Sequence, residues 1–156
     1  MAQKSLEQKG RTALDALAQY IFAPDLTTRY RLRLFQQPVS AGFPSPAEDH
    51  IDGKLDLNRH FIKNPAATFY VRVSGDSMTG AGIHNGDLLI VDRSIEPTPG
   101  RVVIAVINGE HTVKRLHREG DRLLLLAENA DYAPIVVTEL EELHIWGVVT
   151  CVLHQP

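Results

Sequence analysis

The sequence predicts a mostly-β chain, a barrel or sandwich of short strands, preceded by an N-terminal arm carrying one short helix. Three observations carry this. Apolar runs of five to eleven residues recur from Phe69 onward. Turn-forming residues separate them, at Asn85-Gly86, Pro97-Thr98-Pro99-Gly100, Glu119-Gly120 and Asn129-Ala130. Asn108-Gly109 stands between two such runs, and Asn-Gly in that setting is the strongest short hairpin signal. A length of 156 residues with 44% apolar and 22% charged side chains is enough for one domain with a real core, so a wholly disordered chain is excluded.

The elements follow in order. Thr12 stands where a helix cap would, with Asp15 three residues on, near the positive end of the helix dipole. Leu14, Leu17, Ala18 and Ile21 then recur at helical spacing, and Ala23-Pro24 ends the segment, giving a helix over residues 12–22. A helix of about three turns is marginal alone and needs a surface to pack on. Residues 36–50 read as a linker, because Pro38, Pro44 and Pro46 favour extended backbone and Gly42 interrupts any regular element. Residues 56–64 form a short helix or turn with Leu57, Phe61 and Ile62 facing inward. After Pro65 the pattern becomes β, with strands expected at 69–74, 87–93, 101–107, 110–116, 122–127, 134–138 and 143–153. The Asn-Gly turn pairs Arg101–Ile107 with Glu110–Leu116, which sets Lys114 on a sheet.

Charge and composition narrow the function. The net charge of −3 argues against strong direct nucleic-acid binding, for which a basic surface is the usual footprint. Its distribution is uneven: residues 1–41 carry +3 and the remainder −6. A single cysteine, Cys151, excludes an internal disulfide framework, fits a reducing compartment, and reads as a small core residue. No run approaches the roughly 18 apolar residues of a membrane helix, and the start has no apolar signal core, so a soluble cytoplasmic protein without a membrane anchor is expected. The seven histidines are scattered without ligand spacing, so neither a metal nor another cofactor is expected.

Two residues carry candidate chemistry. Ser77 lies in Ser74-Gly75-Asp76-Ser77-Met78, directly after the apolar run 69–73. A serine hydroxyl is a poor nucleophile until a base takes its proton, and a lysine serves as that base when desolvation lowers its pKa. Lys114 shares a strand face with Thr112 and Leu116, a hydroxyl and an aliphatic chain, so it can be buried without a carboxylate. Thr112 could orient the amine, while His111 is expected on the opposite side of the strand. Gly75 permits close approach of a substrate backbone, and N–H groups at such a turn can converge on a developing oxyanion. The competing readings are ordinary: Lys114 as a surface lysine whose stem covers apolar atoms, and Ser77 as the cap of a short turn.

The motifs taken together resemble a known group. Gly42-Phe43-Pro44-Ser45-Pro46-Ala47, Asp56-Leu57-Asn58, Ser74-Gly75-Asp76-Ser77-Met78, Asn85-Gly86-Asp87-Leu88-Leu89-Ile90-Val91-Asp92, Gly109-Glu110-His111-Thr112-Val113-Lys114 and Gly147-Val148-Val149 resemble, in the same order, the UmuD-like members of the LexA-type self-cleaving serine peptidases. The similarity covers about residues 38–153. It implies a curled, mostly-β LexA/signal-peptidase catalytic domain, usually a homodimer. It further implies Ser77 as nucleophile, Lys114 as general base, and Ala41-Gly42 as the scissile bond with Val39 as its apolar anchor. Oxyanion donors would be the N–H groups of Ser77 and Asp76. The implied organisation is a removable arm 1–41, a linker and lead-in 42–65, and a peptidase domain 66–156. The implied partners are a RecA filament on single-stranded DNA, which stimulates the cut, and a UmuC-like polymerase subunit that takes the trimmed form for translesion synthesis. Ala41 stands where a cysteine precedes the scissile glycine in the best-known member, but Ala-Gly is the pair used by LexA-type repressors.

Three other functions compete. A LexA-type self-cleaving repressor would need a helix-turn-helix, and the arm offers one helix where that motif needs two. A signal-peptidase-like processing enzyme would need a membrane anchor. A non-catalytic β module would make Ser77 and Lys114 incidental.

Overall fold

A computed structural model of the chain describes residues 21–22, 24–35, 51–138 and 142–156. These divide into two compact units, Asp25–Lys63 and the remainder. Of the expected helix over 12–22, all but the last two residues lie outside the described part. Those two, Ile21–Phe22, form strand β1 against the edge of the main sheet.

In the smaller unit, β2 (Leu32–Phe35) and β3 (Ile51–Leu55) pair antiparallel, Phe35 opposite Ile51 and Leu32 opposite Leu55. Neither strand was among those read from the sequence, where short runs broken by Arg33 and Gly53 give no clear period. A five-residue helix α1 (Leu57–Phe61) follows, with the Asp56 carboxylate accepting the Arg59 N–H at 3.3 Å. This is the expected turn of helix, with one correction. Ile62 is buried, but Leu57 is 53% exposed. Leu57 opens the helix at its exposed end, while Ile62, the extended residue that caps it, turns into the core.

The larger unit is one antiparallel sheet of β1, β4 (Thr68–Arg72), β5 (Leu88–Asp92), β6 (Val102–Ile107), β7 (Glu110–Glu119), β8 (Arg122–Leu126), β9 (Ile135–Val137) and β10 (Leu143–Leu153). Their order across the sheet is β1-β4-β5-β10-β6-β7-β8-β9. All seven strands expected from the sequence in this part are present. The Asn108-Gly109 turn has φ of 51° and 84°, the left-handed pair that a two-residue hairpin requires.

The long β10 is the centre of the sheet. Its first half pairs with β6 and its second half with β5, with register shifts at Ile145/Gly147 and Val149/Cys151. Gly147 is obligatory at the crossing: a Cβ there would meet Val91 Cγ1 at 2.8 Å and the Asp92 carbonyl oxygen at 3.0 Å. Apolar side chains pack on both sides of the sheet. Phe69, Val71, Met78, Leu89, Val91 and Ile104 form one cluster, and Val103, Ala105, Leu116, Leu125 and Val148 the other. Two apolar faces explain why β6 reads Val-Val-Ile-Ala-Val-Ile without alternation.

Candidate active site

β4 delivers the chain into the loop that carries Ser77. Gly75 has φ +100°, a backbone that side chains rarely adopt, and its N–H donates to Asn85 Oδ1 at 3.0 Å. Beyond it the loop is stitched to the segment after β8. The Ser77 carbonyl accepts the Glu128 N–H at 2.9 Å, and the Gly80 N–H donates to the Glu128 carbonyl at 2.6 Å. Asn129 Nδ2 donates to the Asp76 carbonyl at 3.1 Å, and the Tyr132 hydroxyl donates to the Asp76 carboxylate. None of these partners was singled out in the sequence. Asn129-Ala130 reads there only as a turn, and pairing over about fifty residues leaves no local signal.

Lys114 reaches this loop from β7. Its Nζ lies 2.8 Å from Ser77 Oγ and 3.0 Å from the carbonyl of Val113. The side chain is buried, at 6% exposure for the residue, and among the described residues no carboxylate pairs with it. Burial therefore pushes the ammonium below its ordinary pKa. Thr112 is not what orients the amine; the Val113 carbonyl is, because the lysine stem folds back along its own strand. Arg115 secures the geometry from the other side. Its Nε donates to the Glu128 carboxylate and its Nη1 to the Gly100 carbonyl at 2.7 Å. Glu128 is thus bound to the loop that carries Ser77 and to the strand that carries Lys114.

Ser77 opens onto an apolar cleft of about 510 Å³, lined among others by Val71, Val73, Met78, Ile104, Val113 and Trp146. His111 lines it too, although strand parity sets it opposite Lys114. The Trp146 ring meets it edge-on, with centroids 5.3 Å apart, and burial pushes the His111 imidazole down. Trp146 is held in turn by Phe69, at 5.9 Å, and by the Arg93 guanidinium, 4.9 Å from its ring centre. Among the described residues, β7 is paired over 110–114 by β6 alone, since β8 joins only from Arg115 onward. An open strand edge beside an apolar cleft is what an extended peptide needs to bind as an added strand.

Val39, Ala41 and Gly42 lie outside the described residues, in the stretch between β2 and β3. Cys151 is half-buried on β10 rather than fully enclosed. No helix among the described residues is long and apolar enough to cross a membrane.

A mostly-β domain with a buried lysine on a serine hydroxyl, beside an open strand edge, has the arrangement of a serine peptidase. The chain belongs to the Peptidase S24-like family, whose pattern it matches over residues 33–150. It is 48% identical to Protein SamA of Salmonella typhimurium, over 78% of this chain and 84% of the relative. It is 41% identical to Protein MucA of Escherichia coli, over 78% and 83%. It is 46% identical to LexA repressor 1 of Pseudomonas syringae pv. tomato, but over 64% of this chain and 48% of that protein. The resemblance to UmuD-like, LexA-type serine peptidases holds.

Proposed function

We propose that this chain cuts itself between Ala41 and Gly42 with Ser77 as nucleophile and Lys114 as general base. The contact of 2.8 Å between a buried amine and the Ser77 hydroxyl, at the mouth of the cleft, carries the proposal. Once Lys114 is neutral, the contact runs the other way and the hydroxyl donates to the amine lone pair. Nζ takes the proton as Oγ attacks the Ala41 carbonyl carbon. The N–H groups of Ser77 and Asp76 hold the oxyanion. Lys114 then returns the proton to the Gly42 nitrogen, which leaves as an amine. Water, deprotonated by the same lysine, hydrolyses the acyl-enzyme and frees the Ala41 carboxylate. The small side chain of Ala41 suits the approach to Ser77, and the apolar walls of the cleft suit Val39.

The cut would separate the arm 1–41 from the linker 42–65 and the peptidase domain 66–156. A RecA filament on single-stranded DNA would act by favouring the conformer in which the linker fills the cleft, supplying no catalytic group. The arm contributes β1 to the outer edge of β4 and β2 to the ladder with β3. Its loss would uncover two strand edges, the kind of surface a UmuC-like polymerase subunit could use in translesion synthesis. The homodimer and the cytoplasmic setting belong to the same proposal.

The test is incubation of the pure chain at alkaline pH, with and without RecA on single-stranded DNA, followed by intact-mass measurement. Fragments 1–41 and 42–156 are expected, and none from Ser77→Ala. Cleavage elsewhere, or fragments from Ser77→Ala, overturns it.

A further inference from the structure

Around the turn whose Asn85 holds the Gly75 N–H, the fold brings a residue of the C-terminal tail to two residues of that turn. His84 and Asp87 lie in the turn before β5, and His154 lies in the tail after β10. One ligand-type atom from each falls within 4.8 Å of the others, and among the described residues this is the one such group. The Asp87 carboxylate is at the centre, with its side chain 3% exposed, while both imidazoles are 48% exposed. His154 Nδ1 is 2.7 Å from Asp87 Oδ1, and His84 Nδ1 is 3.7 Å from Oδ2. The two rings have centroids 5.0 Å apart.

The charges around Asp87 are unusual for a buried acid. Burial raises its pKa, but the His84 N–H on Oδ2 at 2.7 Å, the His154 hydrogen bond and the two imidazoles outweigh this and leave the carboxyl below its ordinary value. Among the described residues no lysine or arginine pairs with it. The nearby Arg72 guanidinium is spent on the Gly86 carbonyl at 2.9 Å. A buried carboxylate is ordinarily offset by a fixed positive charge. Among the described residues the groups that face it are two imidazoles, the side chains that most often ligate metals.

We propose that His84, Asp87 and His154 form a binding site for a divalent transition-metal ion. Two imidazoles and one carboxylate suit zinc, cobalt and nickel, and the half-exposed side leaves a coordination position for water. In the structure a hydrogen bond holds the place between His154 and Asp87. Exchange for a metal with bonds of about 2.0–2.1 Å needs that gap to open to about 3.3 Å and the His84 gap to close slightly, both within reach of exposed rings. The bound ion would tie the C-terminal tail to the turn before β5. That turn holds the approach to Ser77, through Asn85 on the Gly75 N–H and through Gly86 and Asp87 on the backbone of Val73.

The experiment uses the tag-free full chain carrying Ser77→Ala, so that it stays whole, and titrates it with zinc by calorimetry and with cobalt by visible absorption. One equivalent is expected to bind, with cobalt d–d bands. His84→Ala and His154→Ala should each weaken binding by at least about tenfold. His144→Ala, which changes an exposed histidine elsewhere on β10, should leave it unchanged. Urea midpoints establish that all variants are folded. No saturable binding by the parent, or binding that survives either His84→Ala or His154→Ala, overturns the proposal.

Discussion

Replacing Gly80 with alanine should separate the two halves of the proposed dyad without touching either. The Gly80 φ carries no left-handed strain, so the cost is purely steric. A Cβ there would lie 2.5 Å from the Glu128 carbonyl oxygen, where ordinary contact begins at 3.4 Å. The two backbones must part by about 0.9 Å. That carbonyl is also the acceptor of the Gly80 N–H at 2.6 Å, and the Glu128 N–H holds the Ser77 carbonyl at 2.9 Å. Overpacking of this kind costs about 1–3 kcal/mol, and two weakened hydrogen bonds add about 1 kcal/mol each at most. A loss of about 1–5 kcal/mol is therefore expected. The same displacement moves Ser77 against Lys114, and a misplacement near 1 Å costs on the order of a hundredfold in rate. Urea unfolding measures the first quantity, and self-cleavage at alkaline pH, followed by intact mass, the second. Gly120→Ala is the control. With φ +59° and no atom within 4 Å of its Cβ, it should lose stability without slowing the cut in folded protein. If Gly80→Ala matches the parent in both midpoint and rate, the stitching of Ser77 through Glu128 is not what positions it.

Two further outcomes follow from the buried amine. Lys114→Met should reduce cleavage by at least about a hundredfold, the usual contribution of a general base, yet raise the urea midpoint. It keeps the aliphatic stem and removes a group whose charged form burial disfavours; a lowered midpoint would mean that the amine stabilises the fold. The pH dependence has a definite sign. Because burial lowers the folded-state pKa of Lys114, the unfolded chain binds the extra proton between that value and about 10.4, the ordinary lysine value. Stability should rise with pH across that window and lose this dependence above it, as measured by urea midpoints of Ser77→Ala against Ser77→Ala with Lys114→Met. The cleavage rate should climb about tenfold per pH unit below the folded-state pKa and then level. A flat profile would remove the lysine from the mechanism.

From the chain alone came the strands of the larger unit except β1, whose two residues read as the end of a helix, together with the Asn108-Gly109 hairpin and the choice of Ser77 and Lys114. Strand period, turn residues and a shared motif order are local or collinear properties, so they survive in one dimension. The same reading missed β2 and β3, whose few residues gain order only by pairing, and it turned Leu57 inward where a short helix leaves it exposed. Tertiary structure alone decided that Lys114 is dry, that the Val113 carbonyl rather than Thr112 orients it, and that Glu128 and Arg115 tie Ser77 to β7. It also decided that His84, Asp87 and His154 meet. Most of these contacts join residues far apart in sequence, and even the local ones, Val113 with Lys114 and His84 with Asp87, depend with desolvation on what surrounds a side chain in space, which no spacing along the chain records.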